Sequence, residues 1–237
     1  MTPSTRTASW TGLLAGAVAH DINNFVQGVS SARALAGTPE GTVADAAETA
    51  ALVEDDLDHL RTLGGRLRVL ASAGGTSAST RLADACADAF AEVERLPAQL
   101  RAEPIPAELR VVGSAAALTT AIASLLEYAL AAGPAAAAVR LTVHGPQDVG
   151  GAPVILEIAA PEAWELGAIG KARLDVVLGS SLPELRGDAR LILAGAIADR
   201  LGGAVYIASD AKAGLVLALH LVACPAAAPT KESGSSD

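Results

Sequence analysis

The sequence predicts an α+β protein: a helical hairpin over 9–73, followed by a mixed α/β domain over 81–223 and a short tail over 224–237. Three observations predict this. Apolar residues recur every three to four positions from Trp10 to Val29 and from Val53 to Leu70, the period of one buried helical face. The stretch Ala73-Gly74-Gly75-Thr76-Ser77-Ala78-Ser79-Thr80 is small, polar and aperiodic, the composition of a linker. Beyond it, helical patterns alternate with short strand-like runs.

The elements follow in order. The first helix runs from about Ser9 to Leu35, with an apolar stripe of Trp10, Leu14, Val18, Ile22, Phe25 and Val29, and stops at Gly37-Thr38-Pro39. The second runs from about Thr42 to Ala73, with Val53, Leu57, Leu60, Leu67 and Leu70 on one face and Gly64 interrupting it. Two long helices and a short turn make an antiparallel hairpin, and one apolar side of it is left uncovered. Pairing two hairpins into a four-helix bundle covers that side, so a homodimer through Ser9–Ala73 is expected. After the linker come a helix from Arg81 to about Arg95, short strands at Ala98–Ile105 and Leu109–Val112, and a helix from about Ala115 to Ala132. Val139–His144 and Val154–Ile158 read as a strand pair joined by the Gly145–Gly151 loop. A helix from Asp188 to Leu201 ends at Gly202-Gly203, and strands at Ala204–Ala208 and Gly214–Leu221 close the domain. The Ala/Pro and Lys/Glu/Ser/Gly tail is expected to be disordered.

Composition narrows the function. The chain has 237 residues, enough for one or two domains with a real core. It is 51% hydrophobic but only 3% aromatic, so its helices pack through Ala, Leu and Val. A net charge of −9 argues against a general nucleic-acid binder, which needs a basic face. Cys86 and Cys224 match no metal or redox spacing and read as reduced thiols of a cytoplasmic protein. The first residues do not form an uninterrupted apolar leader, and no long apolar run lacks polar breaks, so no membrane span is expected.

The most informative stretch is Ala19-His20-Asp21-Ile22-Asn23-Asn24-Phe25. At 100° per residue, His20 lies about 160° from both Val18 and Ile22, on the side of the helix away from the apolar stripe. Asn23 and Asn24 are its neighbours one turn on, and Gln27 lies a turn beyond. A histidine held toward water beside a carboxylate and amides suits a group that another protein must reach. His59, in Asp58-His59-Leu60, lacks such a setting and reads as a solvated-face residue.

This stretch resembles the H box of bacterial sensor histidine kinases. The resemblance implies that His20 accepts a phosphoryl group and that Asp21 orients its imidazole or serves as general base. It also implies that Asn24 positions water for dephosphorylating a partner, and that Asn23 and Gln27 lie on the partner-binding surface. The second half resembles the ATP-binding α/β sandwich of the same kinases, the GHKL family. Leu118–Leu130 follows the rhythm of its N box, and Leu191–Gly203 with Ala204–Leu221 follows its last helix and closing hairpin.

The residues that would do nucleotide chemistry are missing. Ser124 and Tyr128 stand where the N box carries asparagines, one of which helps hold Mg²⁺ on the ATP phosphates. Ile158-Ala159-Ala160-Pro161-Glu162-Ala163 lacks the Asp that reads adenine and the glycines beside it. Leu185-Arg186-Gly187-Asp188-Ala189-Arg190 keeps one glycine where a Gly-x-Gly cradle is needed, and Asp188 would repel phosphate. An acceptor histidine joined to a degenerate kinase domain resembles the dimeric histidine phosphotransferases of the ChpT type, over the chain to about Ala223. The Ile22-Asn23-Asn24 segment departs from that type toward the active kinases.

The resemblance implies a phosphorelay intermediate. His20 passes phosphoryl groups between aspartates of response-regulator receiver domains, with no cofactor of its own and with Mg²⁺ on the receiver. A divergent ATP-dependent sensor kinase and a pseudokinase scaffold without phosphotransfer are the alternatives.

Overall fold

The computed structural model describes residues 9–36, 43–73, 78–93, 100–133, 138–145, 153–161, 169–179, 188–210 and 214–224. The expected stop at Gly37-Thr38-Pro39, most of the linker and of the Gly145–Gly151 loop, Leu185–Gly187, and the tail from Pro225 lie outside the described residues.

Two long helices, α1 (Trp10–Ala36) and α2 (Val43–Ser72), pair as a hairpin. Gly28 allows them close approach, because a Cβ there would lie 3.2 Å from an Asp56 carboxylate oxygen. The expected stripe of α1 divides between two directions. Leu14, Val18 and Phe25 are half-buried, while Ile22 and Val29 are exposed along with Val26. A hairpin has one partner helix to offer each helix. It covers about half of a wide apolar face.

The rest forms a helix-on-sheet sandwich. Strand β1 (Ser79–Arg81) pairs antiparallel with β3 (Arg110–Val112). The strand residues Ser79 and Thr80 therefore correct the linker assignment. Between them lie α3 (Leu82–Glu92) and β2 (Leu100–Ala102). On α3, Leu82, Ala85, Cys86 and Ala89 are buried, an amphipathic spacing. Burial pushes the Cys86 thiol up to about 12, so it stays a protonated core residue.

Helix α4 (Ala115–Ala132) is capped by Ser114, whose Oγ accepts from the Ala117 N–H at 3.3 Å. It is the one described helix long and apolar enough to cross a membrane, but most of it is buried inside this fold. Strands β4 (Val139–His144), β5 (Val154–Ala160) and β6 (Ile169–Arg173) follow, then α5 (Leu174–Gly179) and α6 (Ala189–Arg200). Strands β7 (Ala204–Asp210) and β8 (Gly214–Leu221) complete a six-stranded sheet of order β2-β4-β5-β8-β7-β6. The β2–β4 pair is parallel and the others are antiparallel. Sequence periodicity missed β6 and α5, which are too short to show a clear period.

The core lies between this sheet and α4 and α6. Leu118, Ile122, Leu125 and Leu126 of α4 and Leu191 and Ile192 of α6 meet Leu141, Leu156, Ile158, Leu217 and Leu219 of the sheet. The end of α6 fixes the entry into β7. Gly202 takes φ +74° and donates to Asp199, while Gly203 donates to Ala198. This is a Schellman closure, and it needs glycine at the left-handed position. Gly203 also lies so near the His220 carbonyl that no side chain fits. Cys224, assigned to the tail from sequence, is tied in by its N–H, which donates to the Arg110 carbonyl at 2.9 Å.

The hairpin is seated on the sandwich. The indole of Trp10 lies on Gly195 of α6, where any Cβ would overlap the ring. The C-terminal part of α2 packs on α4 and α6, and Arg200 donates to the Ala71 carbonyl at 3.3 Å.

Candidate functional site

His20 stands a little past the first third of α1, its side chain 60% exposed. Nothing in the local sequence interrupts the helix there: Asn23 and Asn24 lie inside it and point outward. The imidazole Nδ1 lies 3.2 Å from the Asn24 amide nitrogen and 3.4 Å from Oδ1 of Asp21. Asp21 is only 16% exposed, because it turns toward α2. These contacts compete. With a proton on Nδ1 the ring donates to Asp21; without one it accepts from Asn24. In the first tautomer Nε2 carries the lone pair, the form a nucleophile needs.

The structure thus brings His20, Asp21 and Asn24 into one cluster. Asn23 and Gln27 are exposed on the same helix but do not join it. They line the surface around His20.

His59 was not assigned to the site from sequence. It is exposed, as expected, yet its Nε2 lies 3.4 Å from Oδ2 of Asp21. One carboxylate therefore faces an imidazole from each helix. The chain carried only a positional hint, since in an antiparallel hairpin of the two expected helices position 59 falls near the level of position 21, and the pair itself depends on how the helices are set against each other.

Two turns further along α2, on nearly the same face, Arg66 reaches the sandwich. Its two terminal nitrogens each donate to a carboxylate oxygen of Glu127 at 2.6 Å, a two-pronged pair across the junction of α2 and α4. The next residue, Tyr128, is buried under the Arg190 guanidinium, 5.8 Å from the ring centroid. Arg190 donates to both carboxylate oxygens of Asp188, at 3.0 and 2.6 Å, and to the Glu127 carbonyl at 3.4 Å. Asp188 also caps α6, accepting from the Arg190 N–H at 2.9 Å. Burial, with the Asp188 charge added, holds the Tyr128 hydroxyl well above the usual phenol range, so it stays neutral. Ser124 and Ala160 are buried. Tyr128, Asp188 and Arg190 thus form an internally paired network beside the hairpin.

A cleft of about 510 Å³ at the base of the hairpin is lined by Trp10, Leu14, Leu70, Arg173, Asp199 and Arg200. It includes none of the H-box cluster. Among the described residues there is no group of three or more His, Cys, Asp or Glu side chains placed to hold a metal.

Solved structures of histidine kinases share this architecture. The chain aligns with full-length ShkA, solved in complex with AMPPNP, at a TM-score of 0.51 and 17% identity. That alignment covers 92% of this chain and 44% of the kinase, so the chain spans less than half of that protein's length. It aligns with the Acinetobacter baumannii histidine kinase AdeS at a TM-score of 0.54 and 15% identity, over 85% of this chain and 94% of that one. At such identities the likeness establishes the fold: a helical part followed by a sandwich of the histidine-kinase ATP-binding type. No family model matches the sequence, and no curated protein matches it significantly.

Proposed function

We propose that this chain is a histidine phosphotransferase of a bacterial two-component phosphorelay, of the ChpT type. The observation that carries the reading is the exposed His20, whose Nδ1 lies within reach of the Asp21 carboxylate, the contact that leaves Nε2 as the nucleophilic nitrogen. Nε2 attacks the phosphorus of a receiver's aspartyl phosphate. The N–P bond forms as the P–O bond to the aspartate breaks, and the receiver carboxylate is released. Positive charge develops on the imidazole, and Asp21 offsets it through the Nδ1 proton. Delivery to a second receiver runs the same displacement in reverse. The receiver brings its own acidic pocket and Mg²⁺, so the chain supplies position and charge. Asn23, Asn24 and Gln27 lie on the docking surface, and the sandwich serves as a wall beside it.

ATP has no part in this cycle. Ser124 and Tyr128 replace the N-box asparagines, Ala160 lies in the segment without the adenine-reading Asp, and Asp188 stands where phosphate would lie. The Arg190 guanidinium, which could have faced a nucleotide, is satisfied by Asp188 and the Glu127 carbonyl. Calorimetry with Mg²⁺ and millimolar ATP tests this. A flat titration is expected, and a saturable heat would favour the sensor-kinase reading. The charge of the chain accords with a protein partner rather than nucleic acid, and the whole cycle suits the cytoplasm.

The working unit is a homodimer. Ile22, Val26 and Val29 are 47%, 52% and 37% exposed at a spacing of four and three along α1, and Leu52 of α2 is 61% exposed. That spacing is the seam of a helical bundle, and Ala15 and Ala19 continue it toward the sandwich. Covering the exposed half of each large side chain contributes about 1 kcal/mol. Light scattering at micromolar concentration is expected to give a dimer, and Val26→Glu a monomer, because the twofold axis would set two carboxylates together. A monomeric parent chain would contradict this.

A further inference from the structure

We infer that His59 is a positioning residue for His20, acting through Asp21. The inference rests on the phosphotransfer reading above. Asp21 has two oxygens and two imidazole neighbours, Oδ1 toward Nδ1 of His20 and Oδ2 toward Nε2 of His59, each at 3.4 Å. A short aspartate side chain beside solvent has freedom about χ1 and χ2, and one contact does not fix it. A donor on Oδ2 from the facing helix holds the carboxylate plane so that Oδ1 stays on the His20 side. The contact also keeps Asp21 in competition with Asn24, whose amide lies 3.2 Å from the same Nδ1. When Asp21 holds the Nδ1 proton, Nε2 has the lone pair. When Asn24 donates to Nδ1, the proton sits on Nε2 and the ring cannot attack. His59 thus biases the tautomer on which transfer depends, from a helix that carries no other part of the acceptor group.

The geometry has a second consequence. The pairing ties α2 to α1 at the level of the acceptor, so a receiver meets an acceptor whose orientation is set by both helices of the hairpin. His59 does not touch the transferred phosphoryl group. Its nitrogen nearest the site is the one turned to Asp21.

The test uses the full chain with a phosphorylated receiver and compares wild type, His59→Ala and His59→Gln. Glutamine places an N–H donor near the position of Nε2. His59→Ala is expected to lower the rate constant of transfer about tenfold, a fraction of the effect of the acid–base group it holds. KM for the receiver should stay within about twofold. His59→Gln should restore most of the rate. Long-range ¹H–¹⁵N spectra of ring-labelled histidines read the tautomer directly, and the chain has only four histidines to assign. The His20 signals should move toward the Nε2-protonated form in His59→Ala and return in His59→Gln. A change in KM with unchanged rate constant and tautomer would make His59 a docking residue and overturn the inference. So would a wild-type rate in His59→Ala. A wild-type chain that accepts no phosphate while the tautomer still follows His59 would instead defeat the phosphotransfer reading and leave the positioning role standing.

Discussion

His20→Ala is expected to abolish phosphate acceptance from a phosphorylated receiver, Asp21→Asn to slow it, and Asn24→Ala to leave it nearly intact. The first result follows from the placement of the nucleophile. His59 shares the exposed surface and the same carboxylate, so it is the histidine of the hairpin that could substitute. It does not do so because its Nε2 is the nitrogen turned to Asp21, and its Nδ1 lies beside the side-chain stem. Asn at position 21 keeps the shape of the carboxylate but loses its charge. The imidazolium that forms during transfer then lacks a counter-charge, and assistance of this kind is typically worth about 10²–10⁴-fold. Asn24 touches Nδ1 at 3.2 Å, so its removal relieves a competitor and leaves transfer close to wild type. What should fall in Asn24→Ala is dephosphorylation of a partner receiver, the step that needs a positioned water. Quench-flow with radiolabelled receiver compares all three variants. Acceptance by His20→Ala, or a wild-type rate in Asp21→Asn, would refute the mechanism.

Arg66→Ala is expected to lower the melting temperature by about 4–8 °C, the shift that about 2 kcal/mol produces in a chain of this size. The two 2.6 Å bonds to Glu127 are part-buried, and removing Arg66 strands a carboxylate at the junction of hairpin and sandwich. Exposed pairs contribute about 0–1 kcal/mol and broken buried pairs cost about 3–5 kcal/mol, so a half-buried bidentate pair falls between. The Arg66→Ala/Glu127→Ala double variant should recover part of the loss, because the unpaired charge is gone. Differential scanning calorimetry of wild type, Arg66→Ala, Glu127→Ala and the double variant reads the coupling. If Arg66→Ala melts within about 1 °C of wild type, the pair does not hold the two parts together.

Much of this was legible in the chain. Both hairpin helices, the helix at Ala115–Ala132 and the strand at Val139–His144 fall where periodicity puts them, because long amphipathic runs and alternating strands carry a repeated signal. His20 stood out because the apolar stripe fixed its side of the helix. The exposure of Ile22 and Val29 was harder to read. Periodicity identifies an apolar face but not which part of it a neighbour covers. The pairing of His59 with Asp21 and of Arg66 with Glu127 required tertiary register, 38 and 61 residues apart in sequence. Strand β6 and helix α5 were missed because five or six residues hold too few repeats of any period.

Phosphate is expected to reach His20 from a receiver aspartate and not from ATP. The most direct measurement incubates the full chain, in parallel, with a radiolabelled phosphorylated receiver and with labelled ATP and Mg²⁺, and locates acid-labile phosphate by peptide mapping. Label is expected on His20 from the receiver, chased by a second unphosphorylated receiver, with none from ATP. Label on His20 from ATP, with none from the receiver, would contradict it.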